Sequence, residues 1–279
     1  MKLRFCLIAI ILLFAILPGC GRAERGENRE ATNHSGMTEA KGKELLSNVT
    51  AVAENRRNEW ETLDEIYLRT GEECVPDAET ALDFLNVLLR RYQKSGFFCG
   101  YTPQLIEYQE EPGIWVITCR KGYDGEKVGA EMCFAIRRDN ARVICIWLGE
   151  GESEAIQREE TGEAPALTDE ERAALIQNVC VLGENEQNLW ERVDESRKFT
   201  EPCIPDAETA LQYGNVLLRR FQRAGDYQRF VPQRIKYQEE PFVWIVACWE
   251  DVEDQLGASV SFAISAKDGQ VLAIIWYFE

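Results

Sequence analysis

Pro76-Asp77-Ala78-Glu79-Thr80-Ala81-Leu82 returns as Pro205-Asp206-Ala207-Glu208-Thr209-Ala210-Leu211. Over 76–96 against 205–225, 15 of 21 positions are identical. At the same offset of 129 residues, 103–119 matches 232–248 at 10 of 17 positions. A solenoid repeats every 20–50 residues or so. This period is far longer and close to the size of a small domain, about 100 residues. The expectation is one domain duplicated, with repeats at 43–149 and 167–279.

The ends lie outside that pattern. Lys2 and Arg4 precede an apolar run of 13 residues, Phe5 to Leu17, the length of a signal h-region and short for a membrane span. Leu17-Pro18-Gly19-Cys20 follows and resembles a bacterial lipobox. The resemblance implies a lipoprotein signal peptide at 1–19 and lipidation of Cys20. It places the protein in the bacterial cell envelope, on the outer face of the cytoplasmic membrane, or in the periplasm or outer membrane of a Gram-negative cell. Residues 20–42 are polar, hold the single histidine, His34, and read as a disordered tether. Residues 150–166, with six Glu against one Arg, read as an acidic linker between the repeats.

The net charge of −17 disfavours nucleic acid and anionic lipid surfaces as partners, since both need stripes of Lys and Arg. It favours solubility and a basic protein partner, and a solvated acidic surface explains most of these carboxylates as well. Beyond Cys6 and Cys20, eight cysteines remain. Cys74 with Cys203, and Cys119 with Cys248, are repeat-equivalent. An oxidising compartment permits disulfides, and Cys74–Cys119 with Cys203–Cys248 is the symmetric choice. Buried free thiols are the alternative. No Cys/His spacing suits zinc, and no metal or other cofactor is expected.

Within each repeat an opening helix is expected, capped in the second copy by the box Thr168-Asp169-Glu170-Glu171. Leu175, Val179, Val181, Leu182 and Leu189-Trp190 follow it, with Leu45, Val49, Val52 and Trp60 in the first copy, and Gly183 marks a break. Asp77 and Asp206 are N-cap residues of a second helix, with Glu79 and Glu208 suited to its dipole. Ala81, Leu82, Leu85, Leu88, Leu89 and Tyr92 give it one buried face, and Gly96 and Gly225 end it. The period then alternates. Strands are expected at 106–110, 114–119, 132–137 and 142–148, with Lys267-Asp268-Gly269-Gln270 as a hairpin turn in the second copy. Each repeat thus reads α-α-β-β-β-β, an α+β domain with helices ahead of a curved four-stranded antiparallel sheet.

The order of these motifs resembles the NTF2-fold immunity proteins of bacterial polymorphic-toxin systems. The matching positions are Pro76–Leu82, Pro112 with Trp115-Val116, Pro205–Leu211, Pro241 with Trp244-Ile245, and Asp268-Gly269-Gln270-Val271-Leu272. The resemblance implies two tandem NTF2-like or cystatin-like domains that bind and neutralise a cognate toxin without catalysis. The chain departs from the family in having two domains, in carrying Asp139-Asn140 where the second copy has Asp-Gly, and in its lipobox.

No nucleophile elbow, phosphate loop or dinucleotide fingerprint is present. Glu107, Tyr108, Glu110 and Glu111, with Lys236, Tyr237, Glu239 and Glu240 in the second copy, are the positions where carboxylate chemistry would be sought. A solvated strand end explains them as well, and the chain is read as no enzyme. Seven tryptophans are more suggestive. Trp115 and Trp244 read as core. Trp147 and Trp276, read as equivalent, are candidate protein-binding residues together with Tyr108 and Tyr237. The alternative functions are a PepSY-type or cystatin-like envelope module that inhibits proteases, and a carrier of a small ligand inside the sheet.

Overall fold

The computed structural model describes residues 39–52, 73–121, 131–148, 167–182, 198–239, 242–250 and 258–277. The lipobox with Cys20, His34, Trp60, Trp190, Glu240, Pro241 and the linker 150–166 lie outside them. The chain is α+β. The first repeat supplies α1 (Glu39–Ser47), β1 (Thr50–Val52), α2 (Ala78–Lys94), β2 (Tyr101–Gln109), β3 (Ile114–Lys121), β4 (Glu131–Arg137) and β5 (Val143–Leu148). The second supplies α3 (Asp169–Gln177), β6 (Cys180–Leu182), α4 (Ala207–Arg223), β7 (Phe230–Gln238), β8 (Val243–Glu250), β9 (Ser259–Ser265) and β10 (Val271–Tyr277). Helix α1 begins inside the stretch expected to be tether. No helix among the described residues is long and apolar enough to cross a membrane.

The repeated motif starts the long helices as its residues dictate. The Asp77 carboxylate accepts from the Thr80 backbone N–H at 2.8 Å and from its hydroxyl at 2.7 Å, and Asp206 accepts from the Thr209 N–H at 2.7 Å. These bonds satisfy N–H groups that a helix leaves unpaired in its first turn. At the other end Gly96 and Gly225 take the left-handed conformation, at φ 79° and 94°. Leu82, Leu85 and Leu88 of α2 meet Ile117 and Phe134 of the sheet in one core, all at 0 % exposure. The space between α2 and its sheet is filled there by these side chains.

The sheets are where the sequence reading falls short. Each has five strands, in the orders β5-β4-β3-β2-β6 and β1-β7-β8-β9-β10. Four are the expected antiparallel strands of one repeat. The fifth is parallel and comes from the other repeat: β1 pairs with β7, Thr50 opposite Lys236, and β6 pairs with β2, Cys180 opposite Glu107. The exchange is reciprocal and its register is the same on both sides. The opening helix expected to run through Val52 and Leu182 is instead a short helix followed by a strand.

A pseudo-two-fold axis relates the copies. Phe84 and its equivalent Tyr213 meet on it, ring centroids 4.4 Å apart, where α2 crosses α4. The helices run antiparallel, so Arg223 reaches Glu79 at 2.8 Å while Lys94, its equivalent, pairs with Glu208. The sheet turns also exchange bonds: Val143 N–H to the Asp268 carbonyl and Val271 N–H to the Asn140 carbonyl, both 2.8 Å. Such i-to-j and j-to-i contacts define an isologous interface. The described residues of both copies belong to one compact unit.

Candidate interaction surface

At one end of each sheet the predicted tyrosines stack on tryptophans. Tyr108 lies opposite Trp115 and Tyr237 opposite Trp244, each pair 4.3 Å between ring centroids. The Trp115 indole N–H donates to the Val75 carbonyl at 2.9 Å, and that of Trp244 to the Ile204 carbonyl at 3.0 Å. Both tryptophans are buried and tie the segment before the long helix to the sheet, as expected of core residues. Tyr108 and Tyr237 are half-buried. In the first copy Arg138 donates to the Tyr108 hydroxyl at 2.7 Å and pairs with Glu73 at 2.6 Å. Ala266 and Pro202 stand at those positions in the second copy, so among the described residues this end of the second sheet lacks that ionic cover.

The adjoining turn differs more sharply. Gly113 sits there in the first copy at φ 76°, and Phe242 occupies the same position at φ 63°. One backbone bond is shared: Arg138 N–H bonds the Gly113 carbonyl at 2.9 Å, and Ala266 N–H bonds the Phe242 carbonyl at 2.8 Å. A left-handed conformation costs a residue with a Cβ about 1–2 kcal/mol. Burial offsets only part of this for Phe242, which is 57 % exposed. Sequence reasoning passed over this residue. The signal was there as Pro112-Gly113 against Pro241-Phe242, a glycine replaced by a large aromatic inside an otherwise matching block.

Trp147 and Trp276 are not equivalent. The loop between the third and fourth strands is one residue shorter in the second copy, so the offset falls from 129 to 128, as Phe134 and Phe262 show. Trp147 lies opposite Cys133, whose counterpart Ser261 lies opposite Ile275. A one-residue slip moves a strand residue to the other face. Accordingly Trp147 packs with Ile114, Val116 and Cys145 on the face away from the helix, while Trp276 belongs to the helix-side core, 3.9 Å from the Tyr227 ring. Both are buried. The same offset makes Asn140-Ala141 the counterpart of Asp268-Gly269.

The symmetric disulfides do not form. All eight described cysteines are free thiols. Cys74 bonds through its N–H to the Asp139 carbonyl, while Cys119 lies opposite Met132 on the same β4 hairpin. Asp139 lies in the turn beyond the end of β4, and the five strand steps from Met132 to Arg137 alone span roughly 16 Å, beyond the ~7 Å reach of a disulfide. Cys203, bonded to Lys267, and Cys248, opposite Val260, are separated in the same way. Burial pushes the Cys203 thiol up to about 11 against a hydrogen bond from the Tyr92 hydroxyl, and pushes Cys133 up to about 11. Cys180 alone among these cysteines is exposed.

Glu107 and Lys236 face the exchanged strands, at the register positions of Cys180 and Thr50, and Glu110 and Glu111 are exposed at a turn. The described residues contain no group of three His, Cys, Asp or Glu side chains able to hold a metal ion. Compared with protein-family models, with curated proteins and with solved structures, the chain gives no significant match.

Proposed function

We propose that this chain is a non-catalytic protein-binding module of the NTF2-fold immunity type, held at the cell envelope by a lipid on Cys20, that neutralises a basic toxin by covering it. Phe242 carries the reading. A large aromatic ring is kept in solvent, on a backbone conformation that disfavours it, at a position where the other repeat uses glycine. Folding gains little from a ring that is more exposed than buried, whereas aromatic anchors dominate the energetics of protein interfaces. The Tyr237–Trp244 stack beside the turn gives the anchor a rigid base. The charge of −17 suits a basic partner, steering its approach more than fixing its final affinity.

The test is binding to the protein encoded beside this one. Phe242→Gly installs the first repeat's residue and leaves the turn intact. Binding weakened by tenfold or more, on the order of a 1.4 kcal/mol interface contribution, supports the reading. Unchanged binding by Phe242→Gly, or a neighbouring gene that encodes no secreted toxin, counts against it.

A further inference from the structure

Helix α1 of the first repeat lies along β7 of the second, and between α1, β7 and β8 is a cleft of about 440 Å³. Its lining includes Leu45, Ile235, Trp249, Lys41, Arg234 and Glu44. Leu45 and Ile235 are buried, and Trp249 is 36 % exposed. Lys41 pairs with Glu44 at 3.5 Å; Arg234 is exposed and enters no ion pair among the described residues. Arg234 thus adds a cation to a cleft in which Lys41 and Glu44 already pair.

The other seam shows what packing alone requires. There α3 lies along β2, with Leu175 and Ile106 in the places of Leu45 and Ile235. Leu105 replaces Arg234, Glu171 replaces Lys41, and Arg120 replaces Trp249. Arg120 is held by Glu131 at 2.7 Å. The helix therefore docks on the sheet without an indole and with no cation at the places of Arg234 and Lys41. Trp249, Arg234 and Lys41 are additions to one seam, and they gather around its cleft.

We propose that this cleft binds a small organic acid with an apolar or aromatic body. Its carboxylate meets Arg234 and Lys41, and its body lies against Trp249 over the Leu45–Ile235 floor. The volume falls within the roughly 300–1,000 Å³ of small-ligand sites. A guanidinium is the side chain best matched to a carboxylate. An indole offers the flat apolar wall. The carboxyl terminus of a peptide presents the same chemistry as a free acid.

The full chain is titrated at neutral pH with N-acetyl-phenylalanine and, separately, with its uncharged amide. The reporter is the Trp249 indole N–H resonance, assigned with Trp249→Phe. The acid shifts this resonance saturably, and the amide binds about tenfold more weakly or less, as loss of a charge-assisted contact requires. Arg234→Ala, at an exposed position that leaves the thermal midpoint unchanged, lowers affinity for the acid by a similar factor, and Arg234→Lys restores part of it. No saturable shift, equal binding of acid and amide, or an Arg234→Ala variant that binds as the parent does, each overturns the site. A pentapeptide ending in phenylalanine with a free carboxylate separates the sources. Tighter binding than the acetylated amino acid assigns the cleft to peptide ends, and equal or weaker binding assigns it to free acids; both uphold the site. Phe242→Gly leaves the titration unchanged, which keeps this proposal separate from the toxin-binding reading.

Discussion

At Gly269 a single hydrogen in place of a methyl group holds the dyad together. Its φ is 68°, and a Cβ built there would lie 2.7 Å from the Tyr213 hydroxyl oxygen. That hydroxyl, fully buried, donates to the Ala141 carbonyl at 2.8 Å. The other copy solves the same packing differently: Ala141 keeps its Cβ at φ 57°, and Phe84, with no hydroxyl, stands where Tyr213 does. Gly269→Ala is expected to destabilise by about 2 kcal/mol, from the left-handed conformation and the overlap together. Tyr213→Phe alone costs about 1 kcal/mol for the lost hydrogen bond. Combined, they cost less than their sum by about 1 kcal/mol, measured as a double-mutant cycle in urea. Additive losses would show that the hydroxyl is not what excludes the methyl. Phe242→Gly works in the opposite sense, raising stability by about 1 kcal/mol while removing the proposed anchor. The buried thiols set a pH dependence. Cys133 and Cys203 have folded-state values near 11, above the ordinary thiol value of 9.0. Their contribution is complete below pH 9 and is lost as pH rises toward 11, because the unfolded thiols ionise first. The urea midpoint should therefore hold up to about pH 8.5 and then fall, and Cys203→Ala should reduce the fall. A midpoint flat through pH 11 would contradict this burial.

At the scale of elements, the parts governed by local chemistry were legible. The Asp77 and Asp206 caps, the glycine stops and the alternating strands appear where the residues place them. The capping box at Thr168 forms with both of its bonds. Strands β1 and β6 were not legible. Each has three residues, and Val49 with Val52, like Val179 with Leu182, fits the spacing of a helix face as well as a strand. Nor does any local pattern say which repeat a short strand will join. The Trp147–Trp276 error had a different origin: one residue lost from a loop, outside the matching blocks, shifts the equivalence by one position, so residues paired at the old offset face opposite ways. The exchanged helices themselves are held by different means. Leu45 of α1 is buried, whereas α3 buries no residue. Besides the partly buried Leu175 and Ile176, α3 is held by Arg172, 2.8 Å from Asp83 of α2, and Arg223 bonds the adjacent Thr80 hydroxyl at 2.7 Å. Asp83 is largely shielded from water, which makes this pair stronger than a surface bridge. Arg172→Ala is expected to raise amide exchange in α3 and β6 at least tenfold with α2 and α4 unaffected. Exchange that rises equally throughout would mean that α3 is not a separately held arm.

For the whole molecule, duplication predicted two domains and the structure shows two copies that complete each other's sheets. Fusing them in one chain fixes the partner of each exchanged strand and frees the copies to diverge where packing is indifferent. Phe242 against Gly113, and Trp249 with Arg234 against Arg120 with Leu105, are divergences of this kind, and both proposed binding features belong to the second sheet. All of this rests on the exchange. The direct test uses the exposed Cys180, which lies opposite Glu107 in the exchanged arrangement. In a repeat that kept its own strand it would instead lie opposite Lys236, by equivalence with Glu107. Strand partners bring Cα atoms within the roughly 4.4–6.8 Å that a disulfide spans. Under mild oxidation Glu107→Cys should form a bond to Cys180, seen by peptide mapping, and Lys236→Cys should not. A bond to Cys180 in Lys236→Cys, with none in Glu107→Cys, would contradict the exchange.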